Sequence, residues 1–347
     1  MKIVMTGCAG FIGLNFLDLW LAEHPEDAIV GIDSFTYAAN TTEISRRISK
    51  YENLTFYRTD ISDREAIFKI FEREKPDTVV NFAAETHVDR SIEDAGVFVK
   101  TNVLGTEVLL DASLKFGVKR FHQISTDEVY GDLPLDSTER FVENSPLLPS
   151  SPYSASKAAA DLLALSYYKT HGLDVTISRC SNNYGKYQNN EKMIPKTTEL
   201  LLFGAKAVVY GDGTNVRDWI HVSDHCRAVE KIVLGGSAGE IYNVGGGCEV
   251  SNLELVHKIS RAIRRILVEE VELEDEDSAK DRSIKDDITE DFATEITESV
   301  EFVTDRKGHD RKYSLDTNKI KSTLYWSANI SFDKGLYDTI KWIKEVF

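Results

Sequence analysis

Two acids stand side by side in the run Ile-Ser-Thr-Asp-Glu-Val-Tyr at 124–130, where Thr126 precedes Asp127 and Glu128. An adjacent acid pair in one site can divide proton work. One carboxylate takes a proton from carbon while the other carboxyl hands one to a departing oxygen. Tyr153 and Lys157 follow with the spacing Tyr-x-x-x-Lys. On a helix that spacing puts both side chains on one face. A phenol that ordinarily titrates at about 10 needs a nearby cation to act as a base around neutrality, and Lys157 would supply it.

A second signal lies at the start of the chain. Gly7-Cys8-Ala9-Gly10-Phe11-Ile12-Gly13 spaces its glycines as G-x-x-G-x-x-G, after an apolar strand pattern at 2–6 and before helical spacing at 11–22. Glycines there allow a tight turn and close approach of backbone to a pyrophosphate, which a helix N-terminus favours electrostatically. Twenty residues beyond Gly13, Asp33 ends the next strand pattern, where an acid can bond the adenosine ribose hydroxyls. It disfavours a 2′-phosphate, so the expected cofactor is NAD rather than NADP. Asp60 and Ile61, after another strand, are placed to flank the adenine.

The elements that must position these residues read as alternating strands and helices. Strand patterns at 28–32, 78–83, 120–124 and 175–179 alternate with helical patterns at 65–73, 97–116 and 154–170. Alternation with short connections predicts an α/β fold, a doubly wound parallel sheet of Rossmann type. In such a sheet ligands bind at the carboxyl ends of the strands, where Thr126, Asp127 and Glu128 would lie. From about residue 182 helical pieces at 194–203 and 222–234 are separated by short strands and turns. The expected organisation is an NAD-binding domain over 1–181 and a smaller α/β substrate-binding lobe over 182–347. Residues 219–221 and 240–244 are candidates to return to the first sheet.

The chain has 347 residues, 42% hydrophobic and 28% charged, the composition of a soluble globular protein. It holds no apolar run long enough for a membrane helix, and its first residues lack the pattern of a signal peptide, so cytoplasmic residence is expected. Cys8, Cys180, Cys226 and Cys248 have no metal-ligand spacing and read as packing residues, and no metal is expected. The net charge is −16. Residues 268–301 hold fifteen Asp/Glu and three Lys/Arg, a local −12, so the acidity that argues against a nucleic-acid partner belongs largely to one segment. That segment reads as a solvated insertion, with Ile284, Ile288, Phe292 and Ile296 recurring every four residues as one apolar stripe.

Together these residues resemble the extended short-chain dehydrogenase/reductase superfamily, and within it the nucleotide-sugar 4,6-dehydratases, most closely those acting on dTDP-glucose. The matching stretches are 6–13, 81–91, 124–131, 153–158, 181–185, 217–219, 242–246 and 305–313, nearly the whole chain apart from the acidic segment. The Thr-Asp-Glu triplet is the specific part; the glycine loop and the Tyr/Lys pair belong to the wider superfamily. The resemblance implies that Tyr153, helped by Lys157, takes the proton of the sugar 4-hydroxyl as hydride passes from C4 to NAD, with Thr126 orienting that hydroxyl. Glu128 then removes the C5 proton, Asp127 protonates the departing 6-hydroxyl, and hydride returns to C6. NAD would stay bound from turn to turn.

The same resemblance adds Ser34, Thr36, Ala83, Ala84 and Thr101 to the cofactor contacts. It places Asn182, Arg217, Asn252, Arg306 and His309 around the nucleotide diphosphate, and Thr86, Glu191 and Lys192 near the sugar. The arginines suit a pyrophosphate because a planar fork bonds two oxygens at once. The implied partners are a nucleotide-diphosphate hexose and a second copy of the chain, paired through the helices at 97–116 and 154–170. The chain departs from the family pattern at Lys186, in the loop Gln188-Asn189-Asn190-Glu191, and at Lys307. Those departures leave dTDP and UDP both open as the nucleotide. A 4-epimerase of the same superfamily is the rival reading; it uses the Tyr/Lys pair but does not need both acids.

Overall fold

A computed structural model describes residues 1–274 and 300–346, with side chains described through residue 270 in the first span. The stripe Ile284, Ile288, Phe292 and Ile296 lies outside the described residues.

Seven strands form a wholly parallel sheet. They are β1 (Lys2–Thr6), β2 (Ala28–Asp33), β3 (Leu54–Arg58), β4 (Thr78–Asn81), β5 (Arg120–Thr126), β6 (Val175–Cys180) and β10 (Ile241–Val244), in the order β3-β2-β1-β4-β5-β6-β10. The order reverses between β1 and β4, so a crevice opens at the carboxyl ends of those two strands. The strands are continuous apolar runs because helices cover both faces. Helices Phe11–Glu23 and Val222–Gly235 bury Leu14, Phe16, Leu17, Cys226 and Val229 on one face. Helices Arg64–Glu74, Gly105–Phe116 and Pro152–His171 bury Ile67, Phe71, Leu109 and Ala164 on the other.

The remaining strands form two smaller sheets. β7 (Asn182–Tyr184), β9 (Val216–His221) and β11 (Glu249–Ser251) form a three-stranded sheet, and β8 (Ala207–Tyr210) pairs with β12 (Val300–Val303). Helices Met193–Leu202, Asn252–Glu274 and Phe332–Val346 pack Ile194, Leu255, Ile259, Ile263, Leu336 and Ile340 against the three-stranded sheet. Leu255, Ile259, Ile263 and Ile266 recur at three- and four-residue intervals, the stripe of a helix with one buried face.

Three sequence expectations are corrected here. Residues 241–244 do return to the first sheet, but 219–221 do not. The edge beside β6 is taken by β10, and β9 pairs instead with β7 and β11. Asp218 fixes that arrangement, since its carboxylate accepts from the backbone N–H of Gly246 (3.1 Å) and Cys248 (2.7 Å). The helix expected at 97–116 is not continuous α: Val99–Leu104 is a π-helical stretch between Ala95–Phe98 and Gly105–Phe116. β4 ends at Asn81, and the backbone of 82–87 turns into the crevice as irregular chain.

Candidate active site

β5 carries Thr126 to the carboxyl edge of the sheet, and a 3₁₀ turn over Asp127–Tyr130 holds the two acids there. The Thr126 hydroxyl caps this turn, accepting from Glu128 N–H at 3.3 Å and donating to Asp127 Oδ1 at 3.2 Å. The Asp127 side chain is buried, and its Oδ2 has no hydrogen-bond partner among the described residues. Burial pushes its pKa well above the ordinary carboxylate value, with the negative charges of Glu128 and Asp218 adding to the shift. Glu128 is half-buried on the cavity wall. Burial raises its pKa too, but Arg217 and Lys192 pull the other way.

Helix Pro152–His171 brings Tyr153 and Lys157 against the acids. Ser151 and Ser154 form a reciprocal capping box at 3.1 Å each way, and Pro152 occupies the first turn, so the helix starts one residue before Tyr153. Phe98 packs edge-on to the Tyr153 ring with centroids 6.3 Å apart. Lys157 Nζ donates to the Ile124 carbonyl of β5 at 2.6 Å. Burial lowers the Lys157 pKa and the charge of Asp161 opposes that. The Tyr153 hydroxyl is pushed well above its usual value by burial and by Glu128, with a hydrogen bond from Thr126 working against this.

The glycine loop is built for a dinucleotide. Gly7 has φ +63°, and a Cβ there would sit 2.6 Å from Ala83 N. At Gly13 a Cβ would sit 2.2 Å from the Gly7 carbonyl oxygen. Gly10 is the N-cap of helix Phe11–Glu23, and no side chain caps the first-turn amides, which leaves them for an external anion. Asp33 accepts from Ala9 N–H (3.0 Å) and Phe35 N–H (2.8 Å), which holds its carboxylate at the end of β2. Burial pushes the Asp33 pKa up. These residues fit NAD.

One cavity of about 1130 Å³ joins this loop to the second lobe. Thr126, Asp127, Glu128, Tyr153 and Lys157 line it. So do Gly7, Gly10, Phe11, Ile12, Gly13, Asp33, Ser34, Thr36, Asp60, Ile61, Ala83, Ala84 and Thr101 on the first-domain side. Thr86, Asn182, Glu191, Lys192, Arg217, Asn252, Arg306 and His309 line the rest. The Arg217 guanidinium stacks 4.4 Å from the Tyr313 ring centroid and donates to the Val216 and Asp310 carbonyls, both at 2.8 Å. Arg306 Nε is buried and has no hydrogen-bond partner among the described residues. His309 Nδ1 lies 2.6 Å from Asp305 Oδ1.

A family model described as GDP-mannose 4,6 dehydratase matches residues 4–339. The chain belongs to that family. It is 42% identical to a dTDP-glucose 4,6-dehydratase of Streptomyces niveus, over 99% of this chain and 93% of that protein. It is 43% identical to the dTDP-glucose 4,6-dehydratase of Haemophilus influenzae, over 99% and 97%. Among solved structures, DesIV, a dTDP-glucose 4,6-dehydratase of Streptomyces venezuelae with NAD bound, matches with a TM-score of 0.86 and 42% identity, covering 99% of this chain and 97% of that one.

Within this dehydratase-family chain, several residues at the site escaped the sequence reading. Asn102, in the π-helical stretch, is buried and ties three segments together. Its Oδ1 accepts from Glu85 N–H (2.8 Å), and its Nδ2 donates to the Glu85 carbonyl (3.0 Å) and to Ser156 Oγ (2.8 Å). It thereby sets the crevice loop against the helix that carries Tyr153. The extra residue of a π turn is what aims such a side chain inward, and no local pattern in 97–116 signals it. Tyr313, within the stretch 305–313, is another such residue. Its hydroxyl donates to Asp310, which also accepts from Ser150 Oγ at 2.6 Å across 160 residues of chain.

Proposed function

We propose that this protein is an NAD-dependent dTDP-glucose 4,6-dehydratase, converting dTDP-glucose into dTDP-4-keto-6-deoxyglucose and water. The observation that carries the reading is the difference between the two adjacent acids: Asp127 is buried and its carboxyl is pushed well above the ordinary range, while Glu128 is half-buried and its rise is opposed by Arg217 and Lys192. Neighbouring carboxyls whose environments push their proton affinities apart make an acid and a base.

NAD, held at the glycine loop and Asp33, supplies a hydride acceptor for C4, a positive charge that favours the Tyr153 phenolate, and the hydride that reaches C6. Tyr153 takes the proton of the 4-hydroxyl, which Thr126 orients. Lys157, anchored on Ile124, fixes the helix face from which Tyr153 acts. The ketone at C4 acidifies the C5 proton, and Glu128 removes it. Asp127 delivers its proton to the 6-hydroxyl, which leaves as water, and Glu128 returns its proton to C5. The turn closes when the proton gained by Tyr153 replaces the one lost by Asp127.

Arg217, Arg306, Asn182, Asn252 and His309 are assigned to the diphosphate and nucleotide, and Thr86, Glu191 and Lys192 to the sugar. Arg306 Nε makes no hydrogen bond among the described residues and lies 3.6 Å from Asp89 Oδ1, a long ion pair that leaves room for an anionic ligand there. A 4-epimerase would leave the buried proton of Asp127 without a task. We further infer a cytoplasmic homodimer paired through the helices at 95–116 and 152–171, which expose Val97, Val99, Leu104 and Leu162. Sedimentation as a monomer would refute the pairing. Incubation with dTDP-glucose and, separately, UDP-glucose tests the reaction. Loss of one water by mass spectrometry from dTDP-glucose supports the reading, loss from UDP-glucose alone reassigns the nucleotide, and an unchanged mass from both overturns it.

A further inference from the structure

The loop between β7 and helix Met193–Leu202, residues 185–192, belongs by sequence to the second lobe but is fastened to the first at both of its ends. At one end Asn15 Nδ2 donates to the Lys186 carbonyl at 2.9 Å, and Arg47 Nη2 donates to the Tyr187 hydroxyl at 3.0 Å. Arg47 is itself locked by Asp18 through two bonds of 2.8 Å, and its guanidinium lies 5.5 Å from the Tyr187 ring centroid. Tyr187 adopts φ +70°, so the chain turns sharply where it is fastened.

At the other end Glu191 Oε1 accepts from the Tyr37 hydroxyl at 3.2 Å. Glu191 Oε2 lies 3.4 Å from Arg90 Nη2 and 3.7 Å from His87 Nε2. Arg90 stacks 3.6 Å from the Tyr37 ring centroid, and Lys192 Nζ donates to the Thr86 carbonyl at 3.3 Å. Between the two ends Gln188, Asn189 and Asn190 line the cavity that also holds the glycine loop. Tyr37 and Arg90 stand outside that lining.

A segment fastened at both of its ends and lining the cavity in between must lift at one end before a large occupant leaves. We propose that residues 185–192 are a strap that retains the dinucleotide between turnovers, fastened by Arg47 on Tyr187 at one end and by Tyr37 with Arg90 on Glu191 at the other. The inference rests on the NAD site proposed above and adds what sets the lifetime of the bound cofactor. A merely structural bridge between lobes would leave that lifetime unchanged.

The test loads the full chain with NAD, mixes it with excess isotopically labelled NAD, and follows exchange into the protein fraction. Tyr187→Phe and Tyr37→Phe each delete one fastening hydroxyl while keeping the ring and its stacked arginine, so the packing survives. Each is expected to speed exchange, and the double variant by about tenfold, equivalent to about 1.4 kcal/mol. Exchange in the double variant within about twofold of the parent overturns the strap alone. A parent chain that binds no NAD overturns both the strap and the cofactor site.

Discussion

Replacing Asp127 by Asn separates the chemistry of this carboxyl from its contribution to stability. The side chain is 1% exposed, its Oδ2 has no hydrogen-bond partner among the described residues, and its Oδ1 accepts from Thr126. Asn keeps the Thr126 bond and puts an amide where the protonated oxygen stood, so no hydrogen bond is broken. The carboxyl's pKa in the folded chain lies well above its ordinary value, chiefly through burial. The stability contributed by the neutral form is complete below the unfolded pKa of about 3.9. It is lost as pH rises from there to the folded midpoint, because the unfolded chain releases a proton that the folded chain keeps. Over that window the parent loses about 1.4 kcal/mol per pH unit from this group, and Asp127→Asn does not. The variant should therefore gain stability relative to the parent as pH rises, measured by urea unfolding at a series of pH values. The same variant should lose about 10²–10⁴-fold in dehydration rate while still reducing bound NAD on addition of dTDP-glucose. A stability gap that stays flat with pH, or dehydration at the parent rate, would refute the assignment of Asp127 as a buried neutral acid.

Glu128→Gln should allow reduction of bound NAD and stop before C5 proton loss, seen as reduced-nicotinamide absorbance without product; unchanged turnover would sink its role as base. Tyr153→Phe should abolish reduction of bound NAD under the same assay, and a normal burst of reduced nicotinamide would remove Tyr153 from the first step. Asn102→Ala deletes three side-chain hydrogen bonds around a buried position. At about 0.5–1.5 kcal/mol each the loss is about 1.5–4.5 kcal/mol, measurable by urea unfolding, and a change below about 0.5 kcal/mol would show that these bonds do not hold the crevice loop.

The helices missed at Thr41–Lys50, Asn252–Glu274 and Phe332–Val346 show where sequence pattern weakens. Thr41–Lys50 is polar, buries Ile44 alone, and is held by the Asn40 cap, which accepts from Glu43 N–H at 3.0 Å. The start of Asn252–Glu274 has a clear apolar stripe, but it runs into the acidic segment whose charge dominated the reading. Phe332–Val346 packs against that helix across about 70 residues of chain, a contact that local periodicity does not encode.

What the sequence determined by itself was whatever short spacing and backbone period dictate. Gly7 and Gly10 fall in the turn between a strand and a helix and Gly13 in that helix's first turn, Thr126 closes a strand, and Tyr153 and Lys157 sit one helical turn apart. The tertiary structure decided the rest. Asp127 and Glu128 are chemically near-equivalent neighbours in the chain; the fuller burial of Asp127 beside Glu128 and Asp218, and the approach of Lys192 to Glu128, make them unlike. Lys157 meets the carbonyl of Ile124 across 33 residues, and Glu191 reaches Tyr37 across 154 residues. Local geometry follows from covalent spacing, but proton affinity depends on the dielectric and the charges around a group, and those exist only once distant segments have packed.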